Sequence, residues 1–464
     1  MDAPTPGPGD SPPEGLLAAL NERLRRVPDR VLAWVDRARA SYIFIPSTFV
    51  FLALFVAVIT TFIDGLITDR PPDIGDATSA SSARTALSVI AGSVVTMTSI
   101  ALSITIVTLQ LASQQYGPRL IRSFMQDTVT QVVIGVFVGA FVYCLIVLKT
   151  IRDGEGGVPH LSMTLAVILA VVSLLALIVF LQNIARAIHA DHIIARIADS
   201  FDSTVVRIYP ERDSKTPNPD PPDVAADAPT IVSNRRGYLT LIDRDRLVEI
   251  ARHHDLRLRA LYRTGDFVTP GDRLLAVDPD IPEDTESRLR SAFFVGRQRT
   301  STQDVEFAMH QLVDIAGRAL SPGINDPRTA MSCVDRIGAS FQKLAERDRA
   351  PRAAVDSDDV PRLRWDPPQF PQLLRTAFVP LRQFASTNVA VTIRLLEVLE
   401  RIARRADRTA DVDEIARQAD TILATAEREV EDDVDLEDVR SAHDRCERTI
   451  EERREAIKAQ NGNA

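Results

Sequence analysis

Four long apolar segments occupy the first part of the chain, and polar residues flank each of them. Each supplies the roughly 20 consecutive apolar residues that a helix needs to cross the hydrocarbon core of a bilayer. We therefore predict four transmembrane helices, at residues 45–67, 87–112, 129–151 and 161–181. The third contains Gly135 and Gly139, and glycines at this spacing favour close packing against another helix.

The second predicted helix carries small and polar residues along one face. A helix advances about 100° per residue, so positions that fall within roughly 80° of arc form one stripe along its axis. The stripe contains Ser88, Gly92, Thr96, Ser99, Ser103, Gln110 and Gln114. No charged residue occurs in this segment. The face is too polar for lipid, so we expect it to meet protein or water.

Two interpretations of this polar stripe stay open. Small residues four positions apart, such as Ser88, Gly92 and Thr96, are typical of helix–helix packing. A ring of such faces around a shared axis would instead offer hydroxyl and amide groups to water, as an ion pathway requires. The four spans hold almost no ionisable side chains, which favours passive conduction over ion-coupled transport.

The distribution of basic residues predicts the orientation of these helices. Arginine is frequent before the first span, whereas the loop between the first two spans holds only Arg70 and Arg84. Because basic residues concentrate on the cytoplasmic side, we predict that both termini are cytoplasmic. Arg119 and Arg122 then mark the inner mouth of the second helix, where they would favour anions.

Composition divides the whole chain into nine segments. We predict a mostly α membrane protein with four transmembrane helices and a cytosolic α+β region, in which a small β module precedes helices. Residues 16–40 are amphipathic and are interpreted either as a membrane-surface helix or as a helix packed on the cytosolic domain. The segments are a disordered tail (1–15), that amphipathic helix (16–40), the transmembrane domain (41–185), a helical stalk (186–209), a linker (210–229), a β-rich module (230–283), a helical region (284–345), a flexible insert (346–369) and an acidic helical tail (370–464).

The motif SPGINDP, residues 321–327, is the most concentrated polar site outside the predicted membrane helices. Thr302 is expected to cap the helix before it, and Asp326 the helix after it, with Pro327 at the first helical position. In one interpretation it is a helix–loop–helix corner, where Ser321 and Asn325 satisfy the helix ends.

The other interpretation is a ligand loop, in which a helix N-terminus binds an anion or small molecule. Its residues would be Ser321, Gly323, Asn325 and Asp326, and polar side chains upstream are expected nearby. Those upstream residues are Arg297, Arg299, Thr300, His310 and Asp314.

Charge and cysteine content narrow the function classes. The net charge of -9 argues against nucleic acid as a partner. Three widely spaced cysteines give no disulfide framework and fit a reducing compartment. The chain contains no phosphate-binding loop, zinc-protease motif, nucleophile elbow or CxxC pair, which are the common sequence signs of catalysis. We therefore expect no enzyme activity, no cofactor and no metal site.

Several motifs occur together in a fixed order. They are the run SIALSITIVTLQLASQQYGPRLIRSFMQD, the strand GYLTLID, the turn RTGDFVTPGDRL and the helix-and-loop segment QDVEFAMHQLVDIAGRALSPGINDPRTA. In these motifs, over residues 41–342, the chain resembles a bacterial family of predicted inner-membrane proteins that is catalogued only as a domain of unknown function (DUF2254). The resemblance implies a bacterial inner-membrane location and this domain plan, and it brings no established activity.

Two functions are therefore weighed. The first is a homo-oligomeric ion channel lined by the second transmembrane helix, with a regulatory cytosolic region. The second is a membrane-anchored sensor or scaffold whose cytosolic helices bind a protein partner or a small ligand. The expected partners are the lipid bilayer, further copies of the chain and, for the channel, ions.

Overall fold

The computed structural model describes residues 43–67, 80–116, 127–151, 159–187, 190–212 and 219–462. Within these ranges, four helices are long and apolar enough to cross a membrane, which confirms the predicted fold class. They are α1 (Phe44–Ile67), α2 (Ala80–Tyr116), α3 (Thr128–Thr150) and α4 (His160–Ala187). The predicted tail and amphipathic helix (residues 1–40) and the residues Arg119 and Arg122 lie outside the described ranges.

Helix α3 lies at the centre of the membrane bundle, and α1, α2 and α4 pack against it. In its most apolar stretch 56% of the residues are buried, against 17% in each of the other three helices. Gly135 and Gly139 of α3 face α1. An added Cβ at Gly135 would lie 2.7 Å from the Phe49 ring, and one at Gly139 would lie 3.3 Å from the Phe49 carbonyl. The two glycines therefore let α1 and α3 approach closely.

The strands of the region that follows the four membrane helices form two small sheets. One has the order β1–β5–β3–β8–β7 and the other has the order β4–β2–β6. All pairings are antiparallel except the parallel pair β3–β8. The strands are β1 (Thr230–Val232), β2 (Gly237–Ile242), β3 (Arg257–Ala260), β4 (Phe267–Val268), β5 (Arg273–Asp278), β6 (Phe293–Gly296), β7 (Ala353–Val355) and β8 (Pro361–Arg364).

Strands β7 and β8 correct the sequence analysis, because they belong to the segment at residues 346–369 that was expected to be a flexible insert. Strand β8 pairs with β3 in the middle of the larger sheet, and Leu363 is fully buried there. The charged positions misled the prediction because several of them form ion pairs in the folded chain. Arg362, for example, binds Asp356 at 2.8 Å.

Helices build the rest of the region that follows the membrane helices. Helices α6 (Arg244–His253) and α7 (Glu283–Arg290) belong to the β-rich module. The others share one core that runs from Ile193 to Ile457, so the acidic tail supplies much of the core of the domain. These helices are α5 (Ala190–Ile208), α8 (Val305–Ala319), α9 (Pro327–Ala345), α10 (Phe370–Ala385), α11 (Val389–Ala403), α12 (Thr409–Glu429) and α13 (Asp433–Gly462).

Two helix caps were predicted, and the structure differs at one of them. Asp326 caps α9 and accepts from the Thr329 amide at 3.1 Å. The expected cap Thr302 is wrong, because α8 begins later and Asp304 accepts from the Phe307 amide at 3.1 Å. The carboxylate of Asp304, two residues further along the chain than Thr302, takes the capping position instead.

Candidate functional site

The polar stripe of α2 lies on the outer surface of the chain. Its members Ser88, Gly92, Thr96, Ser99, Ser103 and Gln110 are all exposed, whereas the side chain of Gln114 lies outside the described residues. The buried face of α2 is formed by Leu87, Ala91, Val94 and Ala101, which lie roughly 150° around the helix from the stripe. The stripe is therefore not packed inside its own subunit.

Two hydroxyl groups of the stripe, those of Thr96 and Ser99, bond to their own helix. Thr96 Oγ1 donates to the Gly92 carbonyl at 3.0 Å, and Ser99 Oγ donates to the Val95 carbonyl at 3.0 Å. An added Cβ at Gly92 would meet no atom within 4 Å. Each hydroxyl oxygen keeps lone pairs that point outward, so the stripe offers acceptors, and space, to whatever lies against it.

A buried polar network fixes one end of the membrane bundle. Asp64 of α1 accepts from the amide of Leu161 at 3.0 Å and from the amide and hydroxyl of Ser162 at 2.9 and 2.6 Å. The Tyr143 hydroxyl donates to the Ser162 carbonyl at 3.1 Å and lies 3.0 Å from Thr60 Oγ1. A carboxylate at the first turn of α4 satisfies its free amides and complements its dipole. The network therefore locks α1, α3 and α4 together.

The described residues that follow the membrane helices contain a cleft between the β-rich module and the first turn of α8. Its wall combines apolar and aromatic side chains with charged ones, among them Ile208, Tyr262, Arg263, Asp266, Glu306 and Trp365. The Arg244 guanidinium lies 4.5 Å from the centre of the Trp365 ring, a cation–π contact. The sequence analysis missed this cleft because its residues come from five separate parts of the chain.

A tight charge pair lies beside the cleft, and Asp304 of this pair lines the cleft. Arg299 binds Asp304 through two hydrogen bonds of 2.6 and 2.9 Å, and the Asp304 side chain is only 3% exposed. Gly265 passes directly over the pair with a φ of +96°, and an added Cβ there would collide with the Asp304 carboxylate. Glycine is therefore required both for this backbone conformation and for this approach.

Glu306 is the less satisfied carboxylate of the cleft. Its carboxylate lies 4.0 Å from Arg299 Nη2, beyond hydrogen-bond distance, and its side chain is 30% exposed. Burial, and then the neighbouring Asp304 carboxylate, raise the pKa of Glu306. Perturbed carboxylates that line a cleft are more frequent at binding and catalytic sites than elsewhere.

The SPGINDP loop has the geometry of a helix corner. Ser321 Oγ donates to the Arg318 carbonyl at 2.6 Å, and the amides of Ile324 and Asn325 donate to the Ser321 carbonyl at 3.0 and 2.9 Å. The Asp326 amide donates to the Ala319 carbonyl at 2.7 Å. Gly323 is exposed at the tip of the loop. The backbone and side-chain groups of the SPGINDP loop are thus largely used to end α8 and begin α9.

The polar residues upstream do not gather around this loop as expected. Arg299 binds Asp304 before the first residue of α8, and its Nη1 lies 3.4 Å from Nδ1 of His310 in that helix. The loop follows the last residue of α8. A helix of 15 residues separates its ends by about 22 Å. Arg299 therefore lies at the cleft end of α8, bound to Asp304, and not at the loop.

Helix α13 carries one group of side chains with metal-binding atoms. Within the described ranges, His443, Asp444 and Glu447 bring three such atoms within 4.8 Å of one another. The His443 ring lies 3.1 Å from Asp420, and the two acidic residues are exposed. The ring already has a carboxylate partner on α12, so the group is explained as a contact between α12 and α13.

Comparison with known proteins gives a family without an assigned activity. The family described as predicted membrane protein (DUF2254) matches residues 39–401. An uncharacterized protein of Mycobacterium bovis is 32% identical over 408 residues, which cover 84% of this chain and 75% of the relative. An uncharacterized protein of Mycobacterium tuberculosis shows the same identity and coverage. No solved structure matches the chain.

Proposed function

The chain belongs to the DUF2254 family of predicted membrane proteins, and from this premise we propose that it is a homo-oligomeric ion channel lined by α2. The observation that carries the proposal is the exposed position of the polar stripe. Its residues lie at membrane depth on the side of α2 that turns away from its own subunit. Polar groups at this depth are stable where they meet protein or water.

A single subunit has one such face and so cannot enclose a pathway. Copies arranged around a common axis would bring their α2 stripes together, with Ser99 and Ser103 near the middle of the membrane. The channel would sit in a bacterial inner membrane with both termini in the cytoplasm, as the arginine distribution favours. The cytosolic region, joined to α4 through α5, would then be its regulatory part.

Ion flux from liposomes that contain the purified full chain tests this proposal. Ser99→Leu and Ser103→Leu each replace a polar group by a larger apolar side chain, and we expect flux to fall to that of empty liposomes. Val171→Leu is the matched control, because Val171 is 54% exposed on α4 and far from the stripe. It should leave flux unchanged.

The size of the protein in detergent gives an independent answer. Light scattering should report an oligomer for the unmodified chain and for both leucine variants. A strict monomer would contradict the channel. An oligomer that conducts no ions, and that the leucine substitutions dissociate, would replace the channel by a scaffold in which the stripe is a contact between subunits.

A membrane-anchored sensor is the second candidate, and the cleft at Glu306 favours it. The raised pKa means that the folded protein binds the Glu306 proton more tightly than the unfolded chain does. The stabilising contribution of this group is therefore complete below the unfolded pKa of about 4.3 and is lost as pH rises through the folded pKa. A carboxylate retained at a net cost in stability is typical of a functional site.

Thermal unfolding as a function of pH tests this role of Glu306. Glu306→Gln should raise the melting temperature at pH 7 to 8 and make it less dependent on pH above about 4.3. Glu249→Gln is the control, because Glu249 is exposed on α6 outside the cleft. If the melting temperatures of the two variants depend on pH in the same way, the Glu306 carboxylate does not lower the stability of the folded protein.

A further inference from the structure

Side-chain contacts between α5 and α9 fix the position of the SPGINDP loop relative to the membrane. Near the start of both helices, Ser332 Oγ donates to Asp191 at 3.1 Å. Near the end of both helices, Ser340 and Lys343 bind Asp202. The two helices therefore lie side by side and run in the same direction, and the start of α5 at Ala190 follows the end of α4 at Ala187 by three residues.

The same register places the α8–α9 corner (residues 321–326) on the membrane side of Asp191. The corner ends six residues before Ser332, which is about 9 Å along the helix axis. Asp191 itself follows shortly after α4, whose span-forming part ends at Ile184. The polar headgroup layer adds about 5–7 Å on each side of a hydrocarbon core of about 30 Å. The corner therefore lies at the level of that layer.

Helix α8 supports this placement independently. It runs opposite to α5, since the end of α5 binds the segment just before α8. Thr204 Oγ1 donates to the Ser301 carbonyl at 3.0 Å, and Arg207 donates to the Thr302 carbonyl at 2.5 Å. The end of α8 therefore points toward the membrane, and α8 also contacts α2.

The surface of the corner has the chemistry of a membrane contact. Ile324 is 44% exposed at its tip, and Pro322 beside it is also exposed. The amides of residues 324–326 all donate within the corner, so entering a less polar layer leaves none of these three unsatisfied. Phe384 packs on Gly317 one turn before the corner and is itself 43% exposed.

Basic residues flank this apolar tip. Arg318 lies in the last turn of α8 and Arg328 in the first turn of α9. An apolar tip between two arginines matches the boundary between acyl chains and anionic headgroups, where each component is favourable.

We propose that the α8–α9 corner rests on the bilayer surface that faces the cytosolic region, with Ile324 at the boundary between headgroups and acyl chains. The occupant is the lipid bilayer in which α1 to α4 are embedded. The proposal does not depend on ion conduction. It assigns to the SPGINDP motif a membrane contact instead of the ligand site that its polar residues predict.

A fluorophore at the tip of the corner tests the contact. The native cysteines Cys144, Cys333 and Cys446 are all buried, so a thiol-reactive, environment-sensitive dye will label Ile324→Cys selectively. The labelled full chain is placed in vesicles of phosphatidylethanolamine and phosphatidylglycerol, with part of the lipid brominated near the glycerol end of its acyl chains. We expect the label to lose most of its fluorescence to the brominated lipid.

The matched control is Val360→Cys, on the β7–β8 turn. Val360 is 40% exposed, close to the exposure of Ile324, but it belongs to the β-rich module, which contacts the opposite end of α8. Its label should be quenched by aqueous iodide and not by brominated lipid.

Two results would overturn the proposal. In one, iodide quenches the Ile324 label as fully as the Val360 label while brominated lipid has no effect, which would place the corner in water. In the other, neither quencher reaches the Ile324 label, which would show that protein covers the corner. Circular dichroism of both variants establishes that each has folded before labelling.

Discussion

Helices α2 and α4 both turn most of their surface away from the centre of the membrane bundle, but the two outward surfaces differ in chemistry. On α4 the exposed residues are almost all aliphatic, including Val167, Ile168, Val171, Leu174 and Ile178. On α2 the outward face carries the polar stripe. Both helices are apolar enough on average to cross a membrane. The average does not distinguish a surface made for lipid from a surface made for something else.

The comparison shows that a residue exposed on a single chain can face lipid, as on α4, or can require another contact, as on α2. The outward face of α4 needs no contact other than lipid, because lipid tails are as apolar as its side chains. The outward face of α2 lacks hydrogen-bond partners in a bilayer, since lipid tails offer its hydroxyl oxygens no donor. The difference predicts a contact for α2 that α4 does not need.

The largest expected effect comes from placing a charge near mid-membrane on each face. Val171→Arg puts a cation against lipid, where it costs about 2.5–3.5 kcal/mol of insertion free energy. Ser99→Arg puts the same cation on the face that we expect to be wetted or covered by polar groups, so its cost is smaller. The yield of folded, membrane-inserted protein measures both variants. Equal losses would mean that the two faces share one environment.

An intermediate effect is expected from enlarging two glycines. Gly139→Leu drives a side chain into the α1 backbone at Phe49, and overpacking of this kind costs about 1–3 kcal/mol. Gly92→Leu meets open space in the subunit and should leave subunit stability unchanged. Unfolding in mixed detergent micelles compares them. If Gly92→Leu instead weakens only the oligomer, the stripe of one subunit faces another.

The smallest perturbation is a single thiol on each face. Thr96→Cys and Ile168→Cys change little in volume or charge, and we expect only the thiol at position 96 to react with a membrane-impermeant, water-soluble maleimide. Mass spectrometry of the intact chain measures the modified fraction, with the buried native cysteines as an internal blank. If the thiol reacts at neither position, the contact along α2 excludes water.

The parts of the fold that the sequence predicts well are those set by neighbouring residues. Apolar runs fix the four spans, and Asp326 followed by Pro327 fixes the start of α9, because a cap needs only a few consecutive positions. Strand β8 is different, since Leu363 is buried by pairing with Leu258 about 100 residues earlier. No local pattern reports a partner at that distance.

The cleft was missed for the same reason, while the stripe of α2 was found. The stripe is periodic along one helix, so its geometry follows from 3.6 residues per turn. Beside the cleft, a close backbone approach brings Gly265 against the pair of Arg299 and Asp304. Arginine, aspartate and glycine at such spacings are common in loops, and only the folded chain brings them together.

Helix α8 has one end at the cleft and the other end at the corner that we propose to rest on the bilayer, and it contacts α2. A helix is stiff along its axis, so it works as a strut about 22 Å long. Whatever occupies or empties the Glu306 pocket would shift this strut, and the thickness or charge of the surrounding lipid would press on it from the opposite end. Occupancy of the cleft and a change in the surrounding lipid would then both displace α8, and their effects would add.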